Sequence, residues 1–389
     1  MDHKKINFGM PLTGIEEREM ILKVLDGTQY VHGPMADQFE QEFAERIGVK
    51  HAVSVSSCTA GLHLSLHIQN IGQGDKVVVP AMSHVATAHS VEYQQAEPLF
   101  IDINPKTGNI DLEKLADTIA RDKKIKAINL VHYLGLPVDI HQIKNIAKDH
   151  DILIVEDCAL AVDAKLGSTK VGGVGDVGCF SFYPVKHLTT GEGGMVTTND
   201  TDIFNKIKRM KAFGYDRTLG QRKTPGIYDV VDLGYNYRMS EFHAAIGLAQ
   251  IKKLDGFMQK RQDNFTYLYN KLAEIDEIYI PFDHDKKFKS AFYCLNIVLP
   301  KNQMFKRNEM IEFLSAQNIG VSVHYPNAIP LLTYYKQKYR YRDQDFPNAK
   351  WYGDATISLP IGPHLYTHDM DIIADKVKKA IQTLKITAD

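Results

Sequence analysis

The chain has 389 residues, 44% of them hydrophobic; at roughly 100–200 residues per domain, two domains with a sizeable core are expected, and disorder is excluded as the dominant state. Lys and Arg number 46 against 47 Asp and Glu, a formal net charge of −1. No overall basic excess exists to hold a nucleic-acid backbone or an anionic membrane, so any anionic ligand must be caught by local chemistry. Cys58, Cys158, Cys179 and Cys294 form no CxxC pair and no zinc spacing, which points to reduced thiols and no metal site. The N-terminal segment lacks an apolar h-region, and the uncharged run Val77 to Val91 is too short to span a bilayer. A cytoplasmic protein without membrane contact is expected.

In chain order, Ala52–Ser56 reads as a strand, followed by the small-residue stretch Ser57-Cys58-Thr59-Ala60-Gly61. The apolar set Leu62, Leu64, Leu66 and Ile68 then predicts a helix with a glycine stop at Gly72. Further strands are expected at Lys76–Pro80, Pro98–Asp102, Ile125–His132 and Ile152–Glu156, with a helix over Asp139–His150. Strand–helix alternation with continuous apolar strands argues for an α/β fold with a mostly parallel sheet flanked by helices. Glu241 to Ile275 carries a long amphipathic stripe, able to leave one domain and enter the next. A strand over Cys294–Pro300, a helix over Lys306–Gln317 and a short strand Val321–Val323 follow. The expected division is a large α/β domain over 1–255 and a smaller C-terminal α+β domain over 256–389.

Four segments carry residues suited to chemistry. In Gly178 to Val196 a strand leads to a single lysine, Lys186, with Gly191, Gly193 and Gly194 after it. A lysine is ordinarily a solvated charge; one set among Phe180, Phe182, Tyr183, Val185 and Leu188 has a depressed pKa and is free to attack a carbonyl. Glu156 and Asp157 end an apolar strand, where ligands bind in open parallel sheets. Asp157 either caps a helix after the strand or holds a pyridine nitrogen protonated, which makes pyridoxal phosphate an electron sink. Ser57, Cys58 and Thr59 enter a helix N-terminus directly from a strand; this is an ordinary N-cap or a phosphate seat. The P-loop signature Gly-x-x-x-x-Gly-Lys-Ser/Thr is absent. His84, at the end of Lys76–Pro80, is either a hydrogen-bonded structural residue or a flat ring for a flat cofactor.

These residues fall in a recognisable order. Ser-Ser-Cys-Thr-Ala-Gly-Leu-His (56–63), Val-Glu-Asp-Cys-Ala (155–159), Ser-Phe-Tyr-Pro-Val-Lys-His-Leu-Thr-Thr-Gly-Glu-Gly-Gly (181–194) and Gly-Tyr-Asn-Tyr-Arg-Met-Ser-Glu (234–241) resemble the sugar aminotransferases, the DegT/StrS-like group of fold-type I pyridoxal phosphate enzymes. The resemblance runs from about Gly33-Pro34 to Leu359-Pro360. It implies that Lys186 carries pyridoxal 5′-phosphate as an imine and that Asp157 pairs with its ring nitrogen. Ser57, Cys58, Thr59 and Ser181 would hold the phosphate, and His84 would stack on the ring. Asn236 matches an asparagine that reaches the cofactor of a neighbouring subunit, with Arg238 beside it, so a homodimer with shared sites is implied. His324 and Tyr325 would border the substrate. Leu160 stands where the family often has Gln or His, so one contact to the ring oxygen is missing. The implied reaction moves an amino group from L-glutamate to a nucleotide-linked 4-keto-6-deoxy sugar, in surface glycan synthesis. The Thr-Thr-Gly-Glu-Gly-Gly run (189–194) resembles the C4-specific members. Alternatives on the same scaffold are a keto-sugar dehydratase, an aminotransferase for a cyclitol or free keto sugar, and a non-catalytic cofactor-binding regulator. One dehydrating branch replaces the lysine with histidine; here Lys186 is present and His187 follows it.

Overall fold

A computed structural model describes residues 4–216, 224, 226–301 and 305–388 of the chain. Its main sheet has seven strands in the order β1-β9-β8-β5-β4-β2-β3. The first five in sequence are β1 (His51–Val55), β2 (Lys76–Pro80), β3 (Glu97–Ile101), β4 (Ile125–Val131) and β5 (Leu153–Asp157). A small hairpin, β6 (Lys165–Leu166) and β7 (Thr169–Lys170), precedes β8 (Val177–Ser181) and β9 (Gly194–Thr198). Strands β3, β2, β4, β5 and β8 run parallel; β9 is antiparallel to both β8 and β1. The parallel strands are apolar throughout because both faces are covered: Val77, Val78 and Val79 are all fully buried. The five strands expected over residues 52–156 lie within one residue of β1 to β5.

The covering helices are α1 (Ile15–Leu25), α2 (Pro34–Ile47), α3 (Cys58–His67), α4 (Val85–Tyr93), α5 (Leu112–Arg121), α6 (Ile140–Ala147), α7 (Thr201–Met210) and α8 (Glu241–Leu272). Helix α3 ends five residues before Gly72, which corrects the glycine-stop expectation. Ile68 closes the helix, and Asn70 supplies the left-handed residue at φ 56°. Gly61 lets α3 lie on the sheet: a Cβ there would stand 2.9 Å from Val196 Cγ2. Helix α8 starts at the N-cap Ser240, and its first residue, the buried Glu241, turns back to accept the Met35 N–H at 2.8 Å and the Ala36 N–H at 3.2 Å. One carboxylate thus ties the starts of α2 and α8 together.

Beyond α8, β10 (Phe288–Lys289) joins the β6–β7 hairpin, and β11 (Leu295–Val298) pairs antiparallel with β12 (Thr356–Leu359). Helices α9 (Arg307–Ala316), α10 (Thr333–Tyr339), α11 (Pro347–Ala355) and α12 (Thr367–Ala388) complete this part. Val321–Val323 is not a strand; it contributes one antiparallel bridge, Ser322 to Ser358. That bridge sets the next two residues, His324 and Tyr325, against the large sheet's carboxyl edge.

Candidate active site

Asp157 closes β5 between β4 and β8 and is 5% exposed. Its Oδ2 accepts the Thr87 hydroxyl at 2.8 Å; its Oδ1 accepts the Ala159 N–H at 3.1 Å and has the Cys58 thiol at 3.9 Å. The Ala159 contact is a local turn, not the cap of a following helix. Glu156, its neighbour, faces the other side of the sheet and is fully buried. It accepts from His132 Nε2 at 3.0 Å and from the N–H groups of Gly172, Val174 and Gly175 at 2.7, 3.0 and 2.6 Å. Burial pushes the Glu156 carboxyl up, but the His132 bond and the backbone donors outweigh it and hold it below its ordinary range. His132, Glu156 and Cys158 come within metal-binding distance of one another, yet both imidazole nitrogens and both carboxylate oxygens are already engaged. This group is architecture.

Lys186 sits in a turn closed by its N–H on the Tyr183 carbonyl at 3.0 Å, and is half-buried. Among the described residues no hydrogen bond or ion pair engages its Nζ, which stands 5.4 Å from the centroid of the Tyr293 ring. Burial lowers its pKa from 10.5; the Cys58 and Asp157 charges oppose that shift, which places both in the lysine's electrostatic surroundings. The apolar neighbours expected from sequence differ. Phe180 and Phe182 pack away from Lys186, against Phe43 of α2, with centroids 5.0 and 5.5 Å apart. Tyr293 takes their place. Its segment is held by His187, 2.8 Å from the Ala291 carbonyl, and by Arg261, which donates to the Tyr293 carbonyl at 2.9 Å.

Ser57 N-caps α3, its hydroxyl accepting the Ala60 N–H at 3.1 Å. The capping role is therefore real for Ser57, and the N–H groups of Cys58 and Thr59 are among those a helix start leaves without an intrahelical acceptor. Ser181 ends β8 opposite Gly194 of β9. A Cβ on Gly194 would stand 2.6 Å from the Cys58 nitrogen, so only glycine lets β9 and the start of α3 meet. The hydroxyls of Thr59 and Ser181 have no hydrogen-bond partner among the described residues. A helix N-terminus with unpaired donors, a spare serine and threonine hydroxyl, and an unpaired amine fit a phosphorylated aldehyde.

His84 is exposed and caps α4, its Nδ1 accepting the Ala86 N–H at 3.2 Å; its ring meets Tyr325 edge-on at 6.0 Å. It is thus both hydrogen-bonded and beside the site, whose walls partly desolvate the ring and lower its pKa, with Asp157 opposing and Lys186 adding to the shift. His324 is fixed further. Ser358 donates to Asn296 Oδ1 at 2.9 Å, so its oxygen takes the proton of His324 Nδ1, also at 2.9 Å. That leaves His324 Nε2 as a bare acceptor. Burial pushes the His324 pKa down to about 3, and the Lys186 and His84 charges push the same way. Tyr133, a buried residue the sequence did not single out, donates its hydroxyl to the His324 carbonyl. Burial likewise pushes the Tyr325 hydroxyl pKa up.

Asn236 and Arg238 form a separate group. Arg238 Nε donates to Asn236 Oδ1 at 3.0 Å, Nη1 lies 3.3 Å from His32 Nε2, and the guanidinium covers Phe213 at 5.2 Å. Among the described residues no hydrogen bond, ion pair or ring contact joins them to Lys186 or Asp157. Thr87 and Tyr293 are the functional neighbours sequence reasoning missed. Thr87 follows His84 by one helical turn, a usable signal; Tyr293 arrives from far along the chain, with none. Around α10 the basic side chains Lys336, Lys338 and Arg342 are paired with Asp343, Glu92 and Asp345.

A lysine amine without an anion of its own, electrostatically coupled to a carboxylate at the carboxyl edge of a parallel sheet and near a helix N-terminus, defines a fold-type I pyridoxal phosphate enzyme. The DegT/DnrJ/EryC1/StrS aminotransferase family model matches residues 12–378, and the chain belongs to that family. Its cofactor is pyridoxal 5′-phosphate. The spore coat polysaccharide biosynthesis protein SpsC of Bacillus subtilis is 35% identical over 380 residues, covering 96% of this chain and 97% of that protein. The GDP-perosamine synthase of Caulobacter vibrioides is 35% identical over 319 residues, covering 82% and 84% of the two chains. The solved structure of Helicobacter pylori PseC, an aminotransferase involved in the biosynthesis of pseudoaminic acid, superposes with a TM-score of 0.89 at 27% identity, over 98% of this chain and 100% of that one.

Proposed function

We propose that the protein transfers an amino group from L-glutamate to a nucleotide-linked 4-keto-6-deoxy sugar, producing an amino sugar for surface glycan or polysaccharide. The observation that carries this reading is the partnerless Lys186 amine within the field of Asp157. When bound, the cofactor supplies an electron sink that makes the donor's α-proton acidic. In this reading the Lys186 amine would hold the cofactor through its aldehyde carbon and, when free, would be the base that carries the donor's α-proton. Asp157, oriented by Thr87, keeps the ring nitrogen protonated. The start of α3 (Ser57, Cys58, Thr59) and Ser181 hold the phosphate, and His84 covers the ring. His324 Nε2, Tyr325 and Arg238 are assigned to the sugar; a neutral His324 accepts a hydroxyl without adding charge.

A relative named for a GDP-linked sugar and one named for spore coat polysaccharide support this substrate class. Lysine rather than histidine at 186 favours transamination over dehydration. A homodimer with shared sites is supported by the exposed apolar side chains Ile227, Val230, Val231 and Leu233, beside Asn236 and Arg238. The division near residue 255 is proposed to separate the cofactor domain from the C-terminal one, with α8 crossing it. Among the described residues no helix is long and apolar enough to cross a membrane, in keeping with a cytoplasmic enzyme. A spectroscopic half-reaction with L-glutamate, followed by a panel of nucleotide keto sugars, tests the reading. Bleaching of the imine band and amination of a 4-keto sugar are expected; release of water with no amino donor would establish the dehydratase instead.

A further inference from the structure

Away from the lysine–aspartate site, three lysines stand abreast on one face of a small sheet. Strand β10 pairs with β6 and β6 with β7, so Lys289 lies opposite Lys165, and Lys165 opposite Lys170. Side chains directly opposed across antiparallel strands are about 4.5–5.5 Å apart at Cβ, and like charges so placed repel. All three line a cleft of about 280 Å³ between this sheet, the last turn of α2 and the middle of α8.

The charges there do not cancel. Arg46 is bound by Asp163 and Asp255, and Asp163 also takes Lys170 at 2.8 Å. Four cations against two carboxylates leave an excess of two positive charges. Lys165 and Lys289 carry that excess: among the described residues neither side-chain ammonium has a hydrogen bond or ion pair. Lys165 is half-buried and Lys289 exposed; Lys287, two residues before Lys289, is instead paired with Asp139 at 3.2 Å. On the α8 side Gln259 and Gln262 offer amide donors and acceptors, and Phe292 provides an apolar wall.

We propose that this cleft is a second binding site, for a small phosphorylated molecule whose phosphoryl group bridges Lys165 and Lys289. A phosphoryl dianion matches the excess charge, and lysine ammonium groups bind phosphate as point charges. The volume exceeds what an inorganic ion needs, and the two glutamines suit the hydroxyls of a sugar or ribose. None of these residues belongs to the Lys186 site, so the proposal stands independently of the reaction assigned there.

The test uses the holoenzyme, whose cofactor fills the cradle at Ser57–Thr59 and so removes that competing phosphate seat. Inorganic pyrophosphate and glucose 6-phosphate are titrated calorimetrically into the wild type, Lys165→Gln, Lys289→Gln and the double variant. Saturable binding to the wild type is expected, weakened about tenfold by each removed charge. Stronger binding of glucose 6-phosphate assigns a sugar phosphate, and stronger binding of pyrophosphate assigns a nucleotide-type diphosphate. A second readout separates a binding role from a structural one. In phosphate-free buffer Lys165→Gln should raise the thermal midpoint, because it relieves repulsion; pyrophosphate should raise the midpoint of the wild type but not of the double variant. Equal binding to wild type and double variant, or lower ligand-free stability of Lys165→Gln, overturns the proposal.

Discussion

Lys211 and Lys186 are both withdrawn from solvent in the large α/β region, and the fold treats them in opposite ways. Lys211, 8% exposed, donates to Glu40 Oε1 at 3.0 Å and to the Ser54 carbonyl at 2.8 Å. Glu40 also accepts the Ser54 N–H at 2.8 Å and its hydroxyl at 2.7 Å. Lys186 has no such acceptor, only a tyrosine ring and the more distant fields of Cys58 and Asp157. The carboxylates Glu156 and Asp157 repeat the contrast: four donors saturate the first, while the second has one hydroxyl, one N–H and a thiol. A buried charge whose partners are complete fastens elements together; one left incomplete is available to a ligand.

Single substitutions sharpen this contrast, beginning with the largest effect. Lys186→Ala should abolish the cofactor's visible imine absorbance and reduce turnover on the order of 10⁴-fold or beyond, with an unchanged or higher melting temperature. Lys211→Ala should do the reverse. It strands Glu40 in the interior and should cost about 3–5 kcal/mol of unfolding free energy in urea, while the folded fraction keeps its absorbance. If the two variants exchanged phenotypes, the distinction would fail. Next in size, Asp157→Asn should slow the glutamate half-reaction about 10²–10³-fold in stopped-flow absorbance. Glu156→Gln should leave that rate largely intact and cost about 1–3 kcal/mol of stability.

The pH dependence of stability divides the same way, with smaller effects. The Glu40 carboxyl is held below its ordinary 4.5 by Lys211 and Ser54, against burial, which raises it. Its contribution is full above pH 4.5 and is lost as pH falls through the lowered folded value. For Lys186, burial lowers the folded pKa below 10.5. Between those two values the unfolded chain binds more protons, so stability rises with pH by up to about 1.4 kcal/mol per unit. Urea titrations of the cofactor-free protein should show this alkaline gain in the wild type and not in Lys186→Met.

The parallel sheet is legible in the sequence because strands buried on both faces need unbroken apolar runs such as Val77–Val79, and no local competitor disturbs that signal. Lys186 is legible from the glycines after it, but its surroundings are not. Chain neighbours alternate across a strand, so Phe180 turns toward α2 while Ser181 ends on the ligand face. The residues that desolvate the amine come from Tyr293 and beyond, through tertiary packing no local pattern records. The end of α3 escapes a glycine search because Asn70, like glycine, adopts the left-handed conformation. The Glu156-Asp157 pair announces that two acids face opposite sides of the sheet, but period-two alternation does not say which side holds the ligand.

Asn236, exposed, and Arg238, half-buried, lie outside this division, bonded to each other instead of to Lys186 or Asp157. If they complete a neighbouring subunit's site, defects on different chains should complement. In a dimer of one Lys186→Ala chain and one Asn236→Ala chain, shared sites put both defects in one site and leave the other with an intact Lys186 and an intact Asn236. Such mixed dimers, purified through two distinct tags, should recover about half the wild-type turnover per dimer, since one of two sites is whole. Each parent homodimer should fall well below that, Lys186→Ala to background and Asn236→Ala through weakened cofactor retention. If each site were built from one chain, the mixed dimer would contain no intact site and its activity would be the mean of the two parents. The discriminating effect is only about twofold against wild type, yet its sign relative to the parents decides whether Asn236 serves its own lysine or its partner's.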